Sequence, residues 1–286
     1  MLNPDLTLHE AAEELGVHYM TAYRYVRLGL LPATKAGGAW RVRRDDLEGF
    51  RSGTPTTPVR AGRRAPWAER LGSRLIAGDA RGAWGVVEAA LSAGSELDEI
   101  YLDVLSPALV RIGEKWETGE IDIAIEHRAT GIAMRLIGRL GPRFVRRGRT
   151  RGAVVLGAPV GERHGIPLAI LADLLRLHGW DVSDLGADTP AASLAHTAAS
   201  TDDVVAVGLS VTNRENLAAA AEACAALRSV RHAPLLIVGG LAVEGDDHAV
   251  ALGADRYAGS ATAMIEILDE TVGASTPTPV PSPGDA

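Results

Sequence analysis

Between Gly152 and about Thr271, short apolar runs alternate with helical runs, and this alternation constrains the fold more than any other feature of the chain. Strands read near 153–158, 181–185, 204–209, 235–238 and 255–258. The runs are continuously apolar, as in Ala153-Val154-Val155-Leu156, which marks strands covered on both faces. Such a series folds as a doubly wound α/β domain with a parallel sheet and right-handed crossovers. Open sheets of this kind bind ligands beyond the carboxyl ends of their strands. The residues that follow each strand are therefore the first candidates for a site.

After the first strand comes Gly161-Glu162-Arg163-His164-Gly165, ahead of a helical pattern from Leu168 to His178. His164 at the sheet edge offers an imidazole to a metal. Glu162, two residues earlier, could accept the hydrogen bond of the other ring nitrogen, fixing the tautomer and raising the basicity of the free nitrogen. Taken alone, both also read as ordinary solvated loop residues. Matching features follow at later strand ends: Ser210 in Gly208-Leu209-Ser210-Val211-Thr212, and Gly239-Gly240 after Leu235-Leu236-Ile237-Val238. A Ser there can hydrogen-bond a buried ligand nitrogen, and paired glycines let a flat ligand approach the backbone.

With these residues the segment resembles the cobalamin-binding domain of methionine synthase, methylmalonyl-type mutases and related regulators, whose motif is Asp-x-His-x-x-Gly, then Ser-x-Leu, then Gly-Gly. The resemblance implies a Rossmann-like fold, His164 as the lower cobalt ligand, and a displaced nucleotide tail lying beside Ser210, Thr212, Gly239 and Gly240. Glu162 stands for the motif's Asp and keeps its carboxylate. Pro167 stands for Gly and Thr212 for Leu, and because Pro167 cannot take a positive φ the loop is expected to follow a different path. Leu185-Gly186-Ala187-Asp188-Thr189-Pro190 resembles a Gly-x-Asp-Thr-Pro turn of the regulators, placing Asp188 and Thr189 near the nucleotide tail; turn formation alone also accounts for it.

From Trp67 to Arg147 the apolar residues recur at helical spacing, with breaks near Gly78, Gly94, Pro107 and Gly119, as in a four-helix bundle. Within it, Gly113-Glu114-Lys115-Trp116 is followed by Gly119 and by Glu126-His127. A Trp at one helix end and a Glu-His pair on the next could share a pocket wall, or serve as core and surface. The spacing is similar to that of light-sensing MerR-type regulators of the CarH kind. That resemblance implies a bundle over the upper face of adenosylcobalamin, with Trp116, Ile123, Glu126 and His127 as cofactor contacts. The photoreceptors carry a His directly after the Trp, where this chain has Glu117, and a carboxylate is a poorer cobalt partner than imidazole. A bis-histidine light product is therefore not expected by the same route.

At the start, Thr7-Leu8-His9-Glu10 reads as a capping box opening a helix through Leu15. A second helix spans Tyr19 to Leu28, and Lys35 to Arg44 reads as a small basic hairpin followed by a helix near Asp45. Residues 1–53 thus resemble the winged helix-turn-helix of the MerR and excisionase group. On that resemblance Tyr19, Thr21 and Arg24 meet base edges or phosphates of a double-stranded DNA operator, and Lys35, Arg41 and Arg43 grip the backbone. Residues 54–66 read as a flexible linker and residues 274–286, rich in Pro, Ser and Thr, as a disordered tail. An acid-free run holding Arg135, Arg139, Arg143, Arg146, Arg147, Arg149 and Arg151 reads as a solvated connection, or as a contact to DNA phosphates or to an acidic neighbouring subunit.

The formal net charge of −7 argues against bulk nucleic-acid binding, so any DNA contact is local. The single cysteine, Cys224, excludes a disulfide framework and fits a cytoplasmic protein with Cys224 as packing. No run approaches the ~20 apolar residues that span a membrane. The leading expectation is a non-enzymatic, cobalamin-dependent transcriptional regulator, a homo-oligomer whose assembly and DNA binding follow the cofactor or light. Its competitor is a corrinoid carrier or methyltransferase-type subunit, and a third reading is a photoreceptor with another chromophore such as a bilin.

Overall fold

The computed structural model describes residues 5–15, 17, 22, 25–26, 31–36, 39–52, 65–231 and 234–273. The chain forms two compact units, residues 1–65 and 66–286.

In the first unit, β1 (Asp5–Thr7) and β2 (Thr34–Ala36) flank β3 (Ala39–Arg43) in an antiparallel sheet. The β2–β3 hairpin is the one read from the sequence, and β1 adds a third strand that its short run did not announce. The capping box opens α1 (Leu8–Leu15): Glu10 accepts from the Thr7 N–H at 2.7 Å, and Thr7 Oγ1 accepts from the Glu10 N–H at 3.2 Å. Leu6, Leu8, Ala11, Ala22, Val26, Val42 and Leu47 close a small core, Leu47 coming from α2 (Arg44–Ser52). The helix expected at Tyr19 to Leu28 lies largely outside the described residues, as do the linker and the tail apart from Ala65 and Pro66.

The second unit begins with four helices. α3 spans Trp67–Ile76 and α4 spans Ala80–Ser92, capped by Asp79, whose carboxylate accepts from the Gly82 N–H at 2.8 Å. α5 runs through Leu97–Glu99, a π-helical stretch Ile100–Leu105 and Ser106–Glu117; α6 is Ile123–Leu140. The break in helical pattern expected near Pro107 is there as a change of helix type, from the π-helical stretch to the α-helix that opens at Ser106, without a loop between them. Proline cannot donate into the ladder, so the regular i→i−4 pattern must fail near it. The chain absorbs that failure by widening one turn, the Ser106 N–H reaching back to Tyr101 O.

Five parallel strands follow, in the order β5-β4-β6-β7-β8: β4 Ala153–Gly157, β5 Asp181–Asp184, β6 Val204–Ser210, β7 Leu235–Gly239 and β8 Arg256–Ala258. Every strand expected from the apolar runs is present. Side chains alternate faces, so Val154 and Leu156 join the layer of α7 (Ile166–Leu177) and α11 (Ala261–Gly273), while Val155 joins that of α8 (Ala191–Ser200) and α9 (Leu217–Arg228). A short α10, Asp246–Ala251, precedes β8. α7 is apolar on two sides: Leu168, Ala172 and Leu175 face the sheet, and Ile170 and Leu174 complete the bundle core with Ile132, Leu136 and Phe144. Bundle and sheet therefore share one helix as a common wall. Among the described residues no helix is long and apolar enough to cross a membrane.

Candidate functional site

The strand order places the topological switch between β4 and β6, where connections leave the sheet in opposite directions and a crevice opens. The loop after β4 carries Glu162 and His164, and Ser210 ends β6. His164 Nδ1 lies 2.5 Å from Glu162 Oε1, and the same oxygen accepts from the His164 backbone N–H at 3.1 Å. Oε2 accepts from the backbone N–H groups of Thr212 and Asn213, each at 2.8 Å, and from Asn216 Nδ2 at 3.2 Å. The Glu162 residue is fully buried.

Burial pushes the Glu162 pKa up, but the Asn213, His164 and Thr212 hydrogen bonds outweigh it and hold the pKa at about 2. An ionised carboxylate only accepts, so His164 Nδ1 must carry the proton that lies between them. In the neutral ring Nε2 is then the lone-pair nitrogen. The His164 side chain is 57 % exposed, so its ring is accessible while its base is fixed. Among the described residues, no group of three or more His, Cys, Asp or Glu side chains could hold a bare metal ion. A single imidazole with an accessible nitrogen suits a metal that brings its other ligands with it.

Pro167 takes the place the motif gives to Gly. It sits in the first turn of α7, where its missing N–H would be unpaired in any case, and Gly165 at the helix N-cap has a φ of −84°. No positive φ is needed there. Beside the loop, a cleft of about 180 Å³ is lined by Leu168, Leu171, Ser210, Ile237, Gly239 and Met264, among others. It is a mostly apolar slot whose lining also includes Ser260. Thr212 serves the site through its backbone.

The two glycines have a cause within the protein. A Cβ on Gly239 would lie 2.2 Å from Ala258 O, and one on Gly240, whose φ is +99°, would lie 2.3 Å from Val211 O. Strand packing therefore demands them with or without a ligand. Asp188, at a φ of +54°, accepts from the Gly161 N–H at 2.8 Å and donates its own N–H to Glu162 O at 2.8 Å. Buried Thr189 bonds within its own turn and bridges Pro159. Both residues hold the His164 loop in place, so of the two readings of this turn the structural one has visible contacts.

On the bundle, Trp116 lies in the last turn of α5 and Ile123 begins α6; both are 46 % exposed. Glu126 accepts from Thr130 Oγ1 at 2.7 Å and lies 3.7 Å from the exposed His127. These four stand near one end of the α5–α6 hairpin, and among the described residues no hydrogen bond or ion pair joins them to the His164 loop. In the first unit, Arg43 makes a two-bond ion pair with the buried Asp46, at 2.9 and 3.2 Å, and Arg41 is half-buried. Arg43 is thus engaged in fixing the start of α2. Tyr19, Thr21 and Arg24 lie outside the described residues, as does the Lys35 side chain.

Sequence reading missed the contributions of Asn213 and Asn216, which carry no motif signal. It also missed the buried joint between the two halves of the second unit. Tyr101, in the π-helical stretch, donates its hydroxyl to Asp173 of α7 at 2.7 Å and stacks on Phe144 with ring centroids 4.5 Å apart. Asp173 also accepts from Arg176 at 2.9 Å, and Arg176 donates to Val182 O at 3.0 Å. Burial, then the Asp173 carboxylate, push the Tyr101 phenol far above its ordinary range.

A helical bundle thus shares a wall with a five-stranded parallel sheet that holds a carboxylate-bound His at its switch point. Residues 67–140 and 152–269 each match a family described as a B12 binding domain, and residues 6–53 match a helix-turn-helix domain family. The chain is 28 % identical over 190 residues to trimethylamine corrinoid protein 1 of Methanosarcina acetivorans, covering 63 % of this chain and 85 % of that one. A monomethylamine corrinoid protein of Methanosarcina barkeri has the same fold over 71 % of this chain and 98 % of its own, with a TM-score of 0.62 at 21 % identity. These relatives favour the corrinoid-protein reading of the body over the regulator reading. The helix-turn-helix match keeps the regulator reading open.

Proposed function

We propose that residues 66–273 bind a cobalamin with His164 Nε2 as the lower cobalt ligand, and that the chain uses the bound cofactor to control DNA binding by its first unit. The observation that carries the cofactor part is the buried Glu162 carboxylate, fully occupied by donors and holding the His164 tautomer whose free nitrogen can ligate. The nucleotide tail would lie in the Ser210 cleft, whose apolar walls suit a flat heterocycle and whose hydroxyl could reach a ring nitrogen. Trp116 and Ile123 would cover the upper face of the ring with Glu126 and His127 beside them, the half-exposed Trp and Ile gaining cover from the cofactor. Adenosylcobalamin is the form proposed, because the spacing of Trp116 and Glu126 resembles that of CarH-type regulators, whose resemblance implies an adenosyl group there.

What supports a regulatory use is the helix-turn-helix match at 6–53, which a corrinoid body does not need for its own function. Dissolving or forming a homo-oligomer would change how many linked readers engage DNA together, provided the cofactor stabilises one assembly state more than the other. The chain then has no catalytic role of its own. The second reading is a corrinoid subunit serving a separate methyltransferase, and the named relatives favour it. When bound, the corrin would supply a cobalt that carries an alkyl group; the protein's share is to hold its lower ligand.

A direct comparison separates these uses. Apo protein is loaded with adenosylcobalamin in darkness, desalted, and titrated onto candidate promoter DNA with and without cofactor, in dark and light. The regulator reading predicts at least a fivefold change in affinity with cofactor state, accompanied by a change in particle mass. A coloured protein whose DNA affinity and mass ignore the cofactor would hand the assignment to the corrinoid-subunit reading.

A further inference from the structure

From His127 to Gly161 the chain contains no Asp or Glu, although its overall charge is −7. Arg135, Arg139, Arg143, Arg146, Arg147 and Arg149 are all exposed along the end of α6 and the segment leading to β4. Among the described residues none of the six lies in an ion pair, whereas Arg151 meets Asp269 at 2.5 Å and Arg176 meets Asp173. Arg135 and Arg139 are four apart on α6, where like charges share a face and repel. Arg139 is also held in place, its guanidinium 3.6 Å from the centroid of the Trp84 ring. A merely solvated connection gains nothing from concentrating one sign of charge, and an acidic protein gains least.

We infer that this arginine ridge is a second contact to duplex DNA, a sequence-independent grip on phosphates. The inference rests on the regulator reading. Guanidinium groups suit phosphate because they offer several donors in a fixed plane. The helix-turn-helix match in the same chain makes duplex DNA the polyanion proposed. A grip on the body raises the effective concentration of the reading head without adding sequence choice. It also makes DNA affinity depend on how the body is arranged.

The test uses the full chain and a variant combining Arg143→Gln, Arg146→Gln, Arg147→Gln and Arg149→Gln, all exposed positions outside the cofactor site. Binding to a mixed-sequence duplex of roughly 40 base pairs is followed by fluorescence anisotropy across a salt series. Each lost phosphate contact should flatten the log affinity against log salt slope by ~0.9. The proposal predicts a slope shallower by about two to four, at least a tenfold loss of affinity at low salt, and unchanged cobalamin uptake. Equal affinity and slope in variant and parent would overturn the ridge while leaving the regulator reading standing. A parent that binds no duplex at all would overturn both. An unchanged slope with a changed particle mass would assign the ridge to an acidic face of another copy, which also overturns it.

Discussion

Glu162 shows how much one buried carboxylate organises. Its partners are His164, two residues on, and Thr212, Asn213 and Asn216, some fifty residues further on the next strand's loop. The first relation was legible in the sequence, because a carboxylate two residues from a His on a strand-end loop is within reach of its ring. The others were not, since they depend on how β6 lies beside β4. Because its folded pKa is depressed to about 2 from 4.5, Glu162 contributes stability that is present above about pH 4.5 and lost as pH falls towards 2. The shift corresponds to roughly 3 kcal/mol. Glu162→Gln should therefore lower the unfolding free energy by about that amount at pH 7 in urea titrations, with the gap closing below pH 3. A gap that stays constant with pH would mean the destabilisation arises from shape rather than charge. Gly240 teaches the opposite lesson. Its sequence context suggested a ligand's approach, but the Val211 carbonyl already fills the space, so Gly240→Ala should destabilise the apoprotein itself, by about 1–3 kcal/mol, in the same titrations.

At the scale of elements, the strands were legible because parallel strands are apolar on both faces, and that signal needs no knowledge of their neighbours. The capping box of α1 is local in the same way. The π-helical stretch of α5 was not legible. Pro107 announces a disturbance, but whether a helix ends or widens there is decided by what its side chains meet, and Tyr101 meets Asp173 across the shared wall. Tyr101→Phe removes one hydrogen bond from a buried carboxylate that keeps Arg176 as a partner. Its expected effect is a loss of about 1–3 kcal/mol in denaturant unfolding. Since the last turn of α5 carries Trp116, the same variant should also weaken cobalamin retention on desalting if the bundle covers the ring. Unchanged retention with reduced stability would confine the joint to a structural role.

For the whole molecule, the sequence separated a helix-turn-helix head from a body of two B12-binding segments, and family matches fall on both. It could not separate a regulator from a corrinoid subunit, because the difference lies in what the body does to the head. The physics of binding is shared by both: a ligand that binds only the folded state stabilises it, so cobalamin at a hundredfold excess over its Kd should add about 2.7 kcal/mol. A raised melting temperature on adding cobalamin, seen by scanning calorimetry, checks that the body is the binding unit. The measurement that bears most directly on the whole account is the visible absorption spectrum of desalted, cobalamin-loaded protein, compared between the parent chain and His164→Ala. The account predicts that the parent is coloured with a histidine-ligated spectrum, and that the variant either comes through colourless or keeps the corrin with the spectrum of a cobalt lacking a nitrogen base. Identical spectra from both would contradict it, because the carboxylate-held imidazole at the sheet's switch point would then have no part in holding cobalt.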